Sequence, residues 1–206
     1  MPETIEPVQD RRPAIVICPC EVAASVWDLA EDLSGQPWSP PGVRTIPLST
    51  SLPDDLIQSL STHLVDPDVR GLLLIGLNRR SDRFRVQMRA ENRGFEPGSA
   101  PLPHSPSIAR ATAPAAGMIE ALNEIGLSAD ASSEGEEDVA SYLLYRILCA
   151  LPDGMDAPSI GLLRVPESAD HDTLEHGIKA VAAAISRHMS PLPRSRHART
   201  SGQDVS

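Results

Sequence analysis

The side chains in this sequence with the most evident chemical uses are three cysteines, six histidines and a run of carboxylates. Cys18 and Cys20 flank Pro19 directly after an apolar run, close to where ligands gather at strand ends in α/β folds. A nucleophile there is the sharper reading. Small buried cysteines are common, and no histidine has an evident reason to lie beside either thiol, so packing is the plainer one. Cys149 falls in a helical apolar pattern and reads as core packing. His63, His104, His171, His176, His188 and His197 lack C-x-x-C or H-E-x-x-H spacing, which argues against a zinc site. His171 and Glu175 stand one helix turn apart, an arrangement that a solvated helix start accounts for. Glu134, Glu136, Glu137 and Asp138 crowd what reads as the first turn of a helix, where carboxylates complement the dipole. Alternatively they pair with Arg164 and with Arg79 or Arg80, because a buried arginine requires acidic partners.

Short apolar runs alternating with helical patterns must position these groups, which predicts an α/β fold: a three-layer α/β/α sandwich around a mixed, mostly parallel sheet. Strands are expected over residues 14–18, 43–48, 69–75, 127–131 and 159–165, the third of them central and buried on both faces. Residues 81–92 read as a half-exposed strand, with Phe84, Val86, Met88 and Ala90 alternating against Arg85, Gln87, Arg89 and Glu91. Helices are expected over 21–34, then after a Ser51 cap with Leu56, Leu60 and Leu64 inward, and over 115–125, 133–150 and 172–189. Gly35 and Gly126 are stop signals, and residues 96–107 form a proline-rich loop. One domain over residues 13–189 is expected, with disordered ends at 1–12 and 190–206. The second of these is a basic tail carrying Arg194, Arg196, His197 and Arg199.

Eighteen basic residues against 28 acidic ones give a formal net charge of -10, which disfavours nucleic acid and anionic membrane as partners. No apolar run nears the roughly 20 residues needed to cross a bilayer, and the N-terminus lacks the pattern of a signal peptide. Three cysteines are too few for a disulfide framework. A cytoplasmic protein without metal or cofactor is the expectation.

Two linked segments carry a family likeness. Residues 132–145, SSEGEEDVASYLLY, followed by GLLRVP at 161–166, resemble the S-N-x-A-G-x-Y-x-C-N-x-x-x-Y and G-F-I-H-V-P motifs of pyroglutamyl peptidase I. Residues 72–92 resemble that family's L-x-L-G-L-A-G-G-R and E-R-x-A-x-N, and the similarity spans residues 14 to about 185. The resemblance implies a cysteine nucleophile at a helix start, a histidine base on the next strand and a glutamate that orients the histidine. Carried over position by position, these become Ala140, Arg164 and Gln87. A methyl group cannot attack a carbonyl, a guanidinium cannot accept a proton near neutral pH, and an amide cannot stabilise an imidazolium charge. The resemblance therefore implies a homologue without the peptidase triad.

The pocket departs as well. The family's T-G-F-x-P-F-G-G loop, whose aromatics help hold the pyroglutamyl ring, is ICPCE at 17–21 here, and the A-G-G-R turn is Asn78-Arg79-Arg80-Ser81. The I-D-x-A-R-I-P-D-N segment is shortened to about residues 93–97. Two functions compete: a binding, regulatory or partner subunit, including a homo-oligomer or a heteromer with an active relative; and a hydrolase with rebuilt chemistry on an amide or cyclic small molecule, or with residual pyroglutamate removal. An open cleft around Gln87, Ala140 and Arg164 would favour the second, and a plugged one the first.

Overall fold

The computed structural model describes residues 10, 12–20, 37–49, 51–95, 100–151 and 157–189. The expected helix over 21–34, most of the expected N-terminal segment and the basic tail lie outside them.

Six strands form the main sheet, in the order β2-β1-β3-β8-β4-β7. These are β1 (Ala14–Pro19), β2 (Arg44–Pro47), β3 (Val69–Asn78), β4 (Phe84–Gln87), β7 (Ala129–Ser132) and β8 (Ser159–Pro166). The four strands β2, β1, β3 and β8 run parallel, while β4 lies antiparallel to β8 and parallel to β7. Strand β3 is central and buried over nearly its whole length, and for that reason reads as a continuous apolar run rather than an alternating one.

Successive side chains along these strands serve opposite layers. Ile15, Ile17, Leu73, Ile75, Leu163 and Val165 face α2 (Ala115–Glu124) and α4 (His171–His188). On the other side Val16, Cys18, Leu72, Leu74, Ile160 and Leu162 face α1 (Pro53–Val65) and α3 (Val139–Ala150). This is the mixed three-layer α/β/α arrangement expected. On α4 the residues Leu174, Ile178, Val181, Ala182 and Ile185 are buried, as its periodicity predicts. Among the described residues no helix is long and apolar enough to cross a membrane.

Local departures have physical causes. Ser51 does not cap α1: Leu52 is the capping residue without a side-chain bond, and Pro53 opens the helix because its fixed φ and missing N–H suit the first turn. The expected strand over 81–92 divides at Met88 into β4 and β5 (Arg89–Glu91). Met88 donates its N–H to Ser132 O and accepts at its carbonyl from Ala111 N, so the chain leaves the main sheet there. Met88 is consequently 36% exposed. β5 then pairs with β6 (Ile108–Arg110) in a separate two-stranded ribbon, and three residues after a proline-rich stretch are too few to show a period. Cys149, expected in the core, is exposed near the end of α3.

Candidate functional site

Helix α3 begins at Val139 rather than at 133, because the carboxylates ahead of it are held by arginines from other elements. Asp138 is the capping residue, and its Oδ1 accepts from Ser141 N at 2.8 Å. The acidic run therefore precedes the helix and does not form its first turn. Ala140 stands within the first turn, fully buried. Gly76 of β3 makes its close approach possible, since a Cβ at that position would lie 2.7 Å from the Ala140 Cβ.

Arg164 projects from β8 towards the same place and is 1% exposed. Its guanidinium has five N–H donors, and each finds an acceptor. Nε donates to Gln87 Oε1 at 2.8 Å; Nη1 to Leu77 O at 3.0 Å and Asp138 Oδ2 at 2.6 Å; Nη2 to Asp138 Oδ1 at 3.0 Å and Ser141 Oγ at 2.7 Å. The bidentate pairing with Asp138 is the strong form of an arginine–carboxylate bond. Glu136 Oε2 lies 3.8 Å from Nη1 and supplies a further, longer-range partner. A buried cation is tolerated only under such saturation.

Gln87 completes the cluster from β4, the strand beside β8. Besides accepting from Arg164, its amide donates to Arg89 O at 2.8 Å and meets Ser141 Oγ at 3.2 Å. Burial works to raise the Asp138 pKa, but the hydrogen bonds and charge of Arg164, with the bonds from Ser141, outweigh it and hold the carboxyl below its ordinary range. An outer tier covers this centre: Arg80 pairs with Glu134 at 3.3 Å and Glu136 at 3.8 Å, and Arg93 with Glu91 at 2.8 Å and Glu137 at 3.0 Å. Of the two arginines singled out in the turn after β3, Arg80 joins the acidic run. Arg79 instead borders a polar cavity of about 250 Å3 with Asn78, Asp82 and Glu167.

The structure thus brings Gln87, Ala140 and Arg164 to one place and buries all three. Gln87 also borders a second cavity beside α2. None of the three side chains supplies a nucleophile or a base, and the guanidinium has no donor left for a ligand. Ser141 escaped the sequence reading, although its place three residues after a capping Asp marks it as the residue whose N–H the cap receives.

Cys18 and Cys20 are buried in the layer shared with α1 and α3, and the Cys20 Sγ lies 3.7 Å from Cys18 O. The histidines of α4 belong to the opposite layer: His171 lies 3.8 Å from Glu175, while His176 and His188 meet carbonyls of their own helix.

No family model matches the sequence, and no curated protein matches it. Solved structures do. A mutant pyrrolidone carboxyl peptidase from the hyperthermophile Pyrococcus furiosus superposes with a TM-score of 0.71 at 13% identity, over 85% of this chain and 99% of that one. Pyroglutamyl peptidase I from Bacillus amyloliquefaciens gives 0.69 at 10% identity, over 89% and 99%. The chain has the pyroglutamyl peptidase fold. Pyrrolidone carboxyl peptidase from Thermus thermophilus matches similarly, with a TM-score of 0.64 at 14% identity over 83% and 99%. Within this pyroglutamyl peptidase fold, Ala140 lies at a helix start, Arg164 on the following strand and Gln87 in hydrogen-bond contact with Arg164.

Proposed function

We propose that this chain is a catalytically silent homologue of pyroglutamyl peptidase I, in which Ala140, Arg164 and Gln87 stand where the family carries its cysteine, histidine and glutamate. Its role is that of a binding, regulatory or partner subunit. The observation that carries this reading is the saturation of Arg164. A guanidinium with five acceptors at 2.6 to 3.0 Å, 1% exposed, has no donor left for a substrate. The reading is supported by Ala140 lying at the start of α3 and Arg164 on β8, the strand that follows it.

A hydrolase with rebuilt chemistry would need an open pocket with convergent polar groups around these residues, and their burial disfavours it. A partner role accords with a core that stays apolar while the cleft chemistry is gone.

Binding of pyroglutamamide, which keeps the ring but carries no carboxylate, tests the reading, monitored by ligand-observed NMR on the intact protein. The reading expects no saturable binding at millimolar pyroglutamamide. Saturable binding abolished by a substitution beside the cluster, such as Gly76→Ala, would show an accessible ring pocket and overturn it. Solution mass at micromolar concentration adds a second arm: a monomer counts against the homo-oligomeric form of the partner role, and a dimer supports it.

A further inference from the structure

A cavity of about 200 Å3 opens beside the start of α2, and its wall includes Met88, Arg110, Ala113, Ala115, Met118 and Gly161. It is apolar apart from Arg110 and a border with Gln87. Gly161 lets this wall form, since a Cβ there would stand 2.8 Å from the Ala113 Cβ and 3.3 Å from the Met118 Cε. Met88, which borders the cavity, is 36% exposed.

The ribbon beside the cavity holds an electrostatic conflict. The register of β5 and β6 sets Arg89 directly opposite Arg110. Directly opposed residues project to the same face, and like charges so placed destabilise a strand pair. Among the described residues Arg110 has no carboxylate in ion-pair contact. The Nε of Arg89 is buried without a hydrogen-bond partner. Its Nη2 lies 3.7 Å from Glu91, whose other oxygen Arg93 holds at 2.8 Å. Glu91 is thus shared between Arg89 and Arg93, and Arg110 adds a third cation nearby in a chain whose net charge is -10. Helix α2, which starts at the cavity wall, has no acidic residue in its first turn to offset this charge.

We infer that this cavity is a binding site for a small organic carboxylate, its apolar body inside and its carboxylate on Arg110, with Arg89 opposite adding to the attraction. An anion relieves the repulsion between the two arginines, and a short hydrocarbon chain suits an apolar space of this size. The inference does not depend on the silent-peptidase reading: the cavity adjoins the Arg164 cluster at Gln87, but the proposed contacts use Arg110 and Arg89 rather than Arg164.

The test titrates the full chain, labelled at its methionine methyl groups, with straight-chain carboxylates from acetate to octanoate and with hexanol. The expected result is that the Met88 and Met118 signals shift saturably. The Kd should fall about fourfold per added methylene until the cavity is full, and hexanol should bind about tenfold more weakly than hexanoate. Arg110→Gln, at an exposed position, should bring hexanoate to the hexanol level, and Ala115→Leu should remove the gain with chain length. Three outcomes overturn the inference: no saturable shift at millimolar hexanoate, equal affinity for hexanol and hexanoate, or an unchanged Kd in Arg110→Gln. If a short peptide ending in Leu-Asp shifts these signals and hexanoate does not, the site belongs to a protein partner and the inference fails.

Discussion

Arg164→Met keeps an unbranched chain on β8 but deletes all five donors. Asp138 then loses both of its arginine bonds, 2.6 and 3.0 Å, and keeps the backbone bond from Ser141 at 2.8 Å with a side chain only 8% exposed. Removing one partner of such a buried pair costs about 3 to 5 kcal/mol, because a desolvated charge is left behind. The pH dependence carries the finer test. In the parent the Asp138 pKa is lowered in the folded state, so its contribution is complete above the unfolded value of about 3.9 and is lost as pH falls through the folded value. In the variant the arginine no longer opposes burial, and the folded pKa lies above the unfolded one. The variant therefore recovers stability as pH falls from neutrality through that raised pKa, and the gap to the parent narrows between pH 7 and about pH 4. Urea unfolding followed by circular dichroism at pH 7.5 and pH 5 measures both quantities. Adding Asp138→Asn to the variant should restore about 1 to 3 kcal/mol at pH 7.5, since the amide keeps a capping oxygen without the charge. A loss below about 1 kcal/mol that is equal at both pH values would refute the claim that the pair is buried and mutually dependent.

Other perturbations have outcomes of known direction. Gly76→Ala should lower stability by about 1 to 3 kcal/mol in the same assay, because its Cβ would sit 2.7 Å from the Ala140 Cβ. Arg93→Gln, which removes partly exposed pairs with Glu91 and Glu137, should cost less than about 1 kcal/mol, and that cost should shrink further in high salt. With a thiol reagent on the native protein, Cys149 should be modified first, and Cys18 and Cys20 only as the chain unfolds.

Strand β3 and helix α4 were legible because a doubly buried strand shows an unbroken apolar run and an amphipathic helix repeats every three to four residues. The chain leaving the main sheet at Met88 was not, since the alternation of Phe84, Val86 and Ala90 continues across the point where the backbone changes partners. The pairing of the acidic run with Arg164 and Arg80 follows from charge economy, and it was available from the sequence as one of two readings. The delayed start of α3 was not, because propensity and dipole arguments favour carboxylates at a helix start while tertiary arginines draw them away. Ser141 could have been found by following the cap from Asp138, whereas the part played by Leu77 O depends on strand geometry that no side-chain pattern reports.

The cluster of Gln87, Ala140 and Arg164 is proposed to be chemically silent. Hydrolysis of a chromogenic pyroglutamyl amide by the purified, unmodified chain tests it most directly, with Cys20→Ala run beside it. Both proteins should release product no faster than buffer. Turnover by the unmodified chain that disappears in Cys20→Ala would contradict it and place a working nucleophile at the end of β1.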